Sequence, residues 1–168
     1  FSCMATVEDT GGLRVVENSD GDLITASCIE FDGDTIIVGK EAAKSYGNND
    51  NVVGRWKREM GTDKEYDAAG KKWTPRQLSS LVLKKLYEDA TQTLGGIDEV
   101  VVTVPANFSD EAREDTMEAA KLAGFEIKQI VDDNIAIVSL LSHEYELDGI
   151  CVLITIDEGL FNICIIII

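Results

Sequence analysis

Histidine occurs once in the 168 residues, as His143, and proline only twice. The four cysteines, Cys3, Cys28, Cys151 and Cys164, stand far apart with no CxxC pair. A structural zinc site needs paired Cys or His ligands at short spacing, so no metal site is expected. Each cysteine sits in an apolar or β-branched stretch and reads as a reduced core thiol, because unoxidised cysteine packs as a small hydrophobe. A reducing cytoplasm is the compartment that suits such thiols. His143 lies in the polar connection SHEYELDG without a partner nearby in sequence, which reads as a surface position and not as a catalyst. Basic residues are scarce: 15 stand against 31 acidic ones, for a net charge of −16. A phosphate backbone or an anionic membrane surface is on average repelled, so neither nucleic acid nor membrane is expected as a partner. The most apolar run, near the C-terminus, is broken by Asp157, Glu158 and Asn162, well short of the roughly 20 residues of a spanning helix. No signal-peptide pattern is visible, and a soluble chain is expected. What is present is 45% hydrophobic residues, enough for one globular domain, or two closely packed subdomains, with a real core.

The first third alternates β-rich runs with turn chemistry: CMATV, GG, LRVVE, NSDGD, LITASCIEF, DGD and TIIVG. Val, Ile and Thr bounded by Asp-Gly and Gly-Gly pairs predict an antiparallel meander of three strands. A short helix follows around Lys40 to Ser45, then the polar loop GNNDN and a second short helical piece carrying Arg55, Trp56, Lys57 and Arg58. This middle part, to about Lys72, is the most polar and is expected to project as a subdomain.

Thr74-Pro-Arg-Gln77 is a helix start, with an N-cap hydroxyl, proline at the first helical position and Gln77 at the capping-box position. Leu78, Leu81, Val82, Leu86, Ala90 and Leu94 recur at helical spacing, and Gly95-Gly96 ends the run. EVVVTV reads as a strand buried on both faces, since a continuous β-branched run leaves neither face polar. Ser109, Asp110 and Glu111 open the next helix with a cap and acidic charge at the positive end of its dipole. Gly124 closes it, and FEIKQIV is the following strand. Strand, helix and strand at this length imply a parallel crossover.

The order and the residues together resemble the Hsp70 (DnaK-type) chaperones, specifically lobe I of their N-terminal ATPase domain. VVENSDGDLITASCIEF resembles the second and third strands of that domain, while VGKEAAKSYGNNDN and RWKREMGTD resemble the arm that follows. VVTVPANFSDEARE matches the family's best-known internal motif, and GKKWTPRQLSSLVLKKLYEDATQTLGG also aligns. The resemblance implies an α/β, ribonuclease H-like fold of the actin/Hsp70 ATPase type: a mixed sheet, antiparallel meander then parallel crossover strands, with flanking helices. It implies one nucleotide-binding lobe over 1–168, an inserted arm over 33–73, and a terminal β-hairpin over 150–168 that resembles the start of lobe II.

Roles carry over one position at a time. The family's arm lysine reaches the γ-phosphate and the attacking water, and Lys57 matches it. Pro105 and Arg113 match the proline and arginine that couple nucleotide state to the interdomain linker, while Asn107 replaces a tyrosine. Asp133 stands where the family's NEPTAAA motif has a glutamate of the magnesium shell, with Asn134 for proline and Ile135 for threonine. Read without the family, Lys57 is a solvated basic residue, Pro105 a strand terminator and Arg113 a helix-surface charge. Other matches are degraded. FSCMATV matches only the end of the first phosphate loop, DLGTTNS, and the strand after it. The second loop, DLGGGTFD, reads TIDEGLFN: Thr155 replaces its aspartate, Asp157 and Glu158 replace two glycines, Gly159 survives and Leu160 replaces its threonine. Glycines there let backbone N–H groups approach phosphate oxygens, so two carboxylates bring bulk and negative charge toward an anion.

The resemblance thus implies ATP or ADP with magnesium as cofactor and the remainder of an Hsp70-like chaperone as partner, in a lobe unable to hydrolyse ATP alone. The alternative is a pseudo-ATPase, natural or engineered, that keeps the lobe as a protein-interaction scaffold. Asp157-Glu158-Gly159 reads as a hairpin turn between CVLITI and LFNICIIII. If the terminal run is an edge strand it invites strand addition and a homodimer; otherwise it is an interior strand covered by helices.

Overall fold

The computed structural model describes residues 1–145, 150–157 and 160–167. The chain divides into two compact units, Phe1–Val100 with Ser109–Lys128, and Val101–Phe108 with Gln129–Ile168.

In the first unit, β1 (Met4–Val7) and β2 (Leu13–Val16) form an antiparallel hairpin that is a sheet of its own. β3 (Cys28–Asp32) pairs antiparallel with β4 (Thr35–Val38) on one side and with β5 (Val52–Gly54) on the other. The three-strand meander expected from sequence is therefore replaced by a hairpin and a separate sheet of order β4-β3-β5. The long run LITASCIEF is strand only from Cys28, because Asn18 organises the preceding loop. Its side-chain oxygen accepts from the Asp20 and Asp22 amides, and its amide nitrogen donates to the Ile24 carbonyl and Thr25 Oγ1. β6 (Tyr66–Ala68) and β7 (Lys71–Trp73) make one more hairpin, and α1 (Lys40–Ser45) lies between β4 and β5.

The core of this unit gathers on α2 (Pro75–Leu94). Its expected capping box is present: Thr74 Oγ1 accepts from the Gln77 amide at 3.3 Å, and Gln77 Oε1 accepts from the Thr74 amide at 2.9 Å. Gly95 closes the helix in the left-handed region, where glycine carries no Cβ penalty. Leu78 and Val82 of α2 pack with Ile29, Phe31, Val53, Trp56 and Ala68, and Phe31 stacks on Trp73 with ring centroids 4.5 Å apart. The 3-10 helix Trp56–Glu59 is anchored by the fully buried Trp56, whose indole N–H donates to Ser79 Oγ at 2.9 Å.

The next helix, α3 (Asp110–Ala123), packs on α2 through small residues, with Ala112, Ala119, Ala120 and Ala123 buried. Ser109 caps it and Gly124 ends it, as the sequence implied. The backbone comes close to α3 at Gly61. A Cβ there would lie 2.6 Å from the Ala112 nitrogen, and φ is +78°.

In the second unit, β8 (Val100–Val104) neighbours β9 (Ile127–Asp132), then come α4 (Asp133–Glu144) and the antiparallel pair β10 (Ile150–Asp157) and β11 (Leu160–Ile167). The Val100 amide donates to the Glu126 carbonyl, joining the starts of β8 and β9 as parallel pairing requires. β8 is not buried on both faces: Val101 is 53% exposed while Val104 is buried, so the apolar run hides one face only. His143 stands in the last turn of α4 and not in a connection, since the apolar stretch IAIVSLL carries the helix past it. Cys28 is buried as expected, but Cys3 is exposed on the chain entering β1, so it is not a core thiol. Cys151 and Cys164 occupy strand positions in β10 and β11.

Gly61→Ala is expected to destabilise the protein by about 2 kcal/mol or more, combining left-handed strain with the clash on α3. Gly47→Ala shares the positive φ but faces open space. Urea titration should therefore show a clearly smaller loss for Gly47→Ala, and equal losses would refute the close approach.

Candidate functional site

Lys57 is the exposed residue next to Trp56 on the 3-10 helix, so the buried indole fixes the backbone from which it projects. Its Nζ donates to the Phe1 carbonyl at 3.0 Å and to Ser2 Oγ at 2.9 Å. Ser2 is itself placed by an antiparallel bridge to Thr25, with reciprocal amide–carbonyl bonds of 2.8 and 2.7 Å, and its hydroxyl lies 3.2 Å from Ser27 Oγ. A cation is thereby brought to the entry of β1 from 55 residues away.

Arg113 lies one turn into α3, half-buried, with its amide donating to the Ser109 carbonyl. Ser109 Oγ accepts from the Ala112 amide at 3.3 Å. In the same first turn, the Glu111 carboxyl is held below its ordinary pKa by a hydrogen bond from its own backbone and then by the Ser109 side chain. Two residues beyond Arg113, Asp115 accepts the Gly61 amide at 3.1 Å and faces the Arg76 guanidinium at 3.5 Å. The loop after the lysine-bearing helix is thus tied to the arginine-bearing helix.

In the second unit, Pro105 follows β8 and its carbonyl accepts from the Phe108 amide at 3.0 Å, turning the chain through Ala106 and Asn107. Asp133 is the first residue of α4, half-buried, after an Asp132 that makes no side-chain cap. A carboxylate there suits the positive end of the helix dipole. Both residues therefore lie just beyond the carboxyl ends of adjacent parallel strands, the edge where open α/β sheets bind their ligands.

Thr155 pairs with Asn162 and Asp157 with Leu160, so the β10–β11 ladder runs up to the residues flanking the turn. Gly159 lies outside the described residues, as does Glu158. Of the positions singled out in sequence, Lys57 and Arg113 belong to the first unit, and Pro105, Asp133, Thr155 and Leu160 to the second.

Sequence reasoning missed Ser2, which receives Lys57, Thr25, which places Ser2, and Gly61, Arg76 and Asp115, which tie the loop after Lys57 to α3. Only Gly61 carried a local signal, a glycine after the helical piece RWKREM; the others act across separations that no local pattern spans.

Antiparallel and parallel sheets with helices make a mixed α/β architecture of the kind that fits an Hsp70 ATPase-like domain. The sequence model of the Hsp70 protein family matches residues 1–68 and 62–167. The chain belongs to the Hsp70 family, whose role is that of an ATP-binding chaperone. Among the described residues no helix is long and apolar enough to cross a membrane.

Lys57→Met is expected to change global stability by less than about 1 kcal/mol, because the ammonium is exposed. It should nonetheless raise amide exchange at Ser2 and Thr25, and unchanged protection there would show that Lys57 does not hold the β1 entry. Burial pushes the Cys28 thiol above its ordinary pKa, so less reactive thiolate is present at a given pH. Peptide mapping after brief alkylation near pH 8 should find Cys3 modified well before Cys28.

Proposed function

We propose that this chain is lobe I of an Hsp70-type nucleotide-binding domain with the ribonuclease H-like fold, residues 33–73 serving as its arm. It keeps the scaffold and coupling positions but does not hydrolyse ATP by itself. The observation that carries this reading is the placement of Lys57. Its ammonium is held at Phe1 and Ser2, the segment that resembles the end of the family's first phosphate loop, which is where a lysine serving a phosphate has to be. Pro105 and Asp133 at the carboxyl edge of β8 and β9 are consistent with roles in coupling and around magnesium. Arg113, tied through Asp115 to the loop after Lys57, is suited to passing a change at the arm into α3.

The second phosphate loop does not fit a nucleotide held in the family's manner. Phosphoryl transfer rests on positioning and charge neutralisation, and in sequence Asp157 and Glu158 stand at two of the glycine positions of that loop. Strand pairing reaches Asp157 and Leu160, leaving a connection of only two residues between them. The same substitutions favour a second reading, a pseudo-ATPase that retains the lobe for contact with the remainder of a chaperone or another protein. A reducing cytoplasm suits either reading.

Calorimetry with Mg-ATP and Mg-ADP, on this chain and on a variant with TIDEGLFN restored to DLGGGTFD, separates the possibilities. Binding no tighter than about millimolar is expected for the chain as it stands. Micromolar affinity would overturn the claim that the loop has lost its ligand. Tighter binding in the restored variant would support descent from a working site.

A further inference from the structure

Two residues other than glycine, Arg55 and Ala69, adopt positive φ among the described residues. Ala69 shares the turn between β6 and β7 with Gly70, where that conformation is ordinary hairpin geometry. Arg55 differs, because with φ +63° and ψ +14° it stands alone between a strand and a helix. On one side Gly54 is fixed by its pairing with Cys28 in the β3–β5 ladder. On the other, Trp56 is fully buried with its indole bonded to Ser79. The chain has a single residue in which to pass from extended to helical geometry between two fixed flanks, and it does so through the left-handed region.

A residue with a Cβ is disfavoured in that region and stays there only when its surroundings hold it. The Arg55 guanidinium lies over the Tyr46 ring, 5.9 Å from its centroid, which is within cation–π range. Tyr46 ends α1, and its ring lies against Gly54: a Cβ there would meet ring carbons at 2.9 and 3.2 Å. The bare α-carbon of Gly54 is therefore what admits the ring beside the turn. Tyr46, Gly54 and Arg55 make a latch on the exposed side of the chain, tying the end of α1 to the start of the 3-10 helix. Two residues beyond Arg55, Lys57 Nζ reaches the Phe1 carbonyl and Ser2 Oγ. A 3-10 helix of four residues has too few internal hydrogen bonds to set its own direction. Trp56 fixes one point of it, and a direction takes a second tie, which the latch supplies.

We propose that Arg55 is the positioning residue of Lys57. Its left-handed backbone, latched to Tyr46 over Gly54, aims the 3-10 helix so that the ammonium meets the entry of β1. Arg55 therefore acts through Lys57 and not on a ligand of its own. This role rests on the reading of Lys57 as a phosphate-serving lysine only for what the lysine serves. The positioning itself is measured without nucleotide, so loss of the nucleotide site and failure of the latch give separate results.

Amide exchange at Ser2 and Thr25 of the full chain reads the hold of Lys57 on the β1 entry, with far-UV circular dichroism confirming that each variant stays folded. Arg55→Val puts a β-branched residue at positive φ and should raise exchange there about tenfold. Arg55→Gly, which relieves the strain but removes the latch, and Tyr46→Leu, which removes the ring, should each raise it about threefold. Arg55→Lys keeps a cation for the ring and should stay within about twofold of the parent chain. In a Lys57→Met background, Arg55→Val should add less than about twofold, because the path through the ammonium is already cut. Equal increases with and without Lys57 would mark a general loosening and overturn the proposal, as would unchanged exchange in Arg55→Gly and Tyr46→Leu. Those two variants add no backbone strain, so they decide the matter even if Arg55→Val misfolds.

Discussion

Trp56 is the contact on which the first unit depends. It is the largest fully buried side chain, and it touches both sides of the unit's core. Through the 3-10 helix it carries the chain leaving β5, and through Ser79 it is fastened to α2. Burying an indole removes a large apolar area from water, but its N–H then needs a partner. Ser79 Oγ supplies that partner and itself lies 3.3 Å from Met60 Sδ, so the polar atoms under the tryptophan are satisfied. A residue beside such an anchor inherits its rigidity. Lys57 is that residue, and its reach to Phe1 and Ser2 is a consequence of where the tryptophan sits.

The second constraint is the seam between α3 and the loop after the 3-10 helix. Alanines on α3 let α2 approach closely, and Tyr87 meets Phe125 edge to face with centroids 5.0 Å apart at the end of the seam. At the other end the backbone at Gly61 presses against Ala112, and Asp115 binds the Gly61 amide while facing Arg76. A side chain larger than hydrogen cannot enter this seam without moving one partner. The loop after the 3-10 helix, α2 and α3 are thereby locked at one point by sterics and by a charge-assisted hydrogen bond, which is stronger than a neutral one. Along α2, buried Asp89 pairs with Lys85, which also donates to Ser19 at 2.8 Å and pins the loop before β3 to the same helix. Helix α2 is thus the common support of the loop before β3, the 3-10 helix and α3.

The parts of this architecture that were legible in sequence are those set by local chemistry. The capping box at Thr74, the serine cap at Ser109 and the closing glycines Gly95 and Gly124 each depend on residues within a turn of one another, and all stand where their spacing put them. The strands were read less well for a physical reason. β5, β6 and β7 are three residues long, and sequences such as VVG, YDA and KKW have no periodicity of their own. They exist because β5 finds a partner in β3, β6 and β7 pair with each other, and the core packs beneath them, as the tertiary dependence of β-structure predicts. The run before Cys28 shows the reverse: strong β-branched character lost to a local network, since Asn18 holds Ile24 and Thr25 in a loop. For the site, the family's residues could be placed by motif, but the contacts that position them, Lys57 with Ser2 and Asp115 with Gly61, join segments more than fifty residues apart.

That division separates what folds the first unit from what the loops would do. The elements that fold the first unit, Trp56 on α2, the alanine seam and the helix caps, contain none of the residues that would face a phosphate apart from Lys57. Replacing loop glycines by Asp157 and Glu158 therefore asks nothing of that core. It bears on the connection between β10 and β11, where an acidic pair before glycine is, in sequence, an ordinary turn pattern. A phosphate loop has to hold backbone amides open toward an anion, against the tendency of those same amides to complete a ladder. Once strand pairing reaches Asp157 and Leu160, the backbone groups beside the turn are committed to the hairpin. Regular pairing up to Asp157 and Leu160, and amides held open toward an anion, are thus competing uses of the same stretch of backbone.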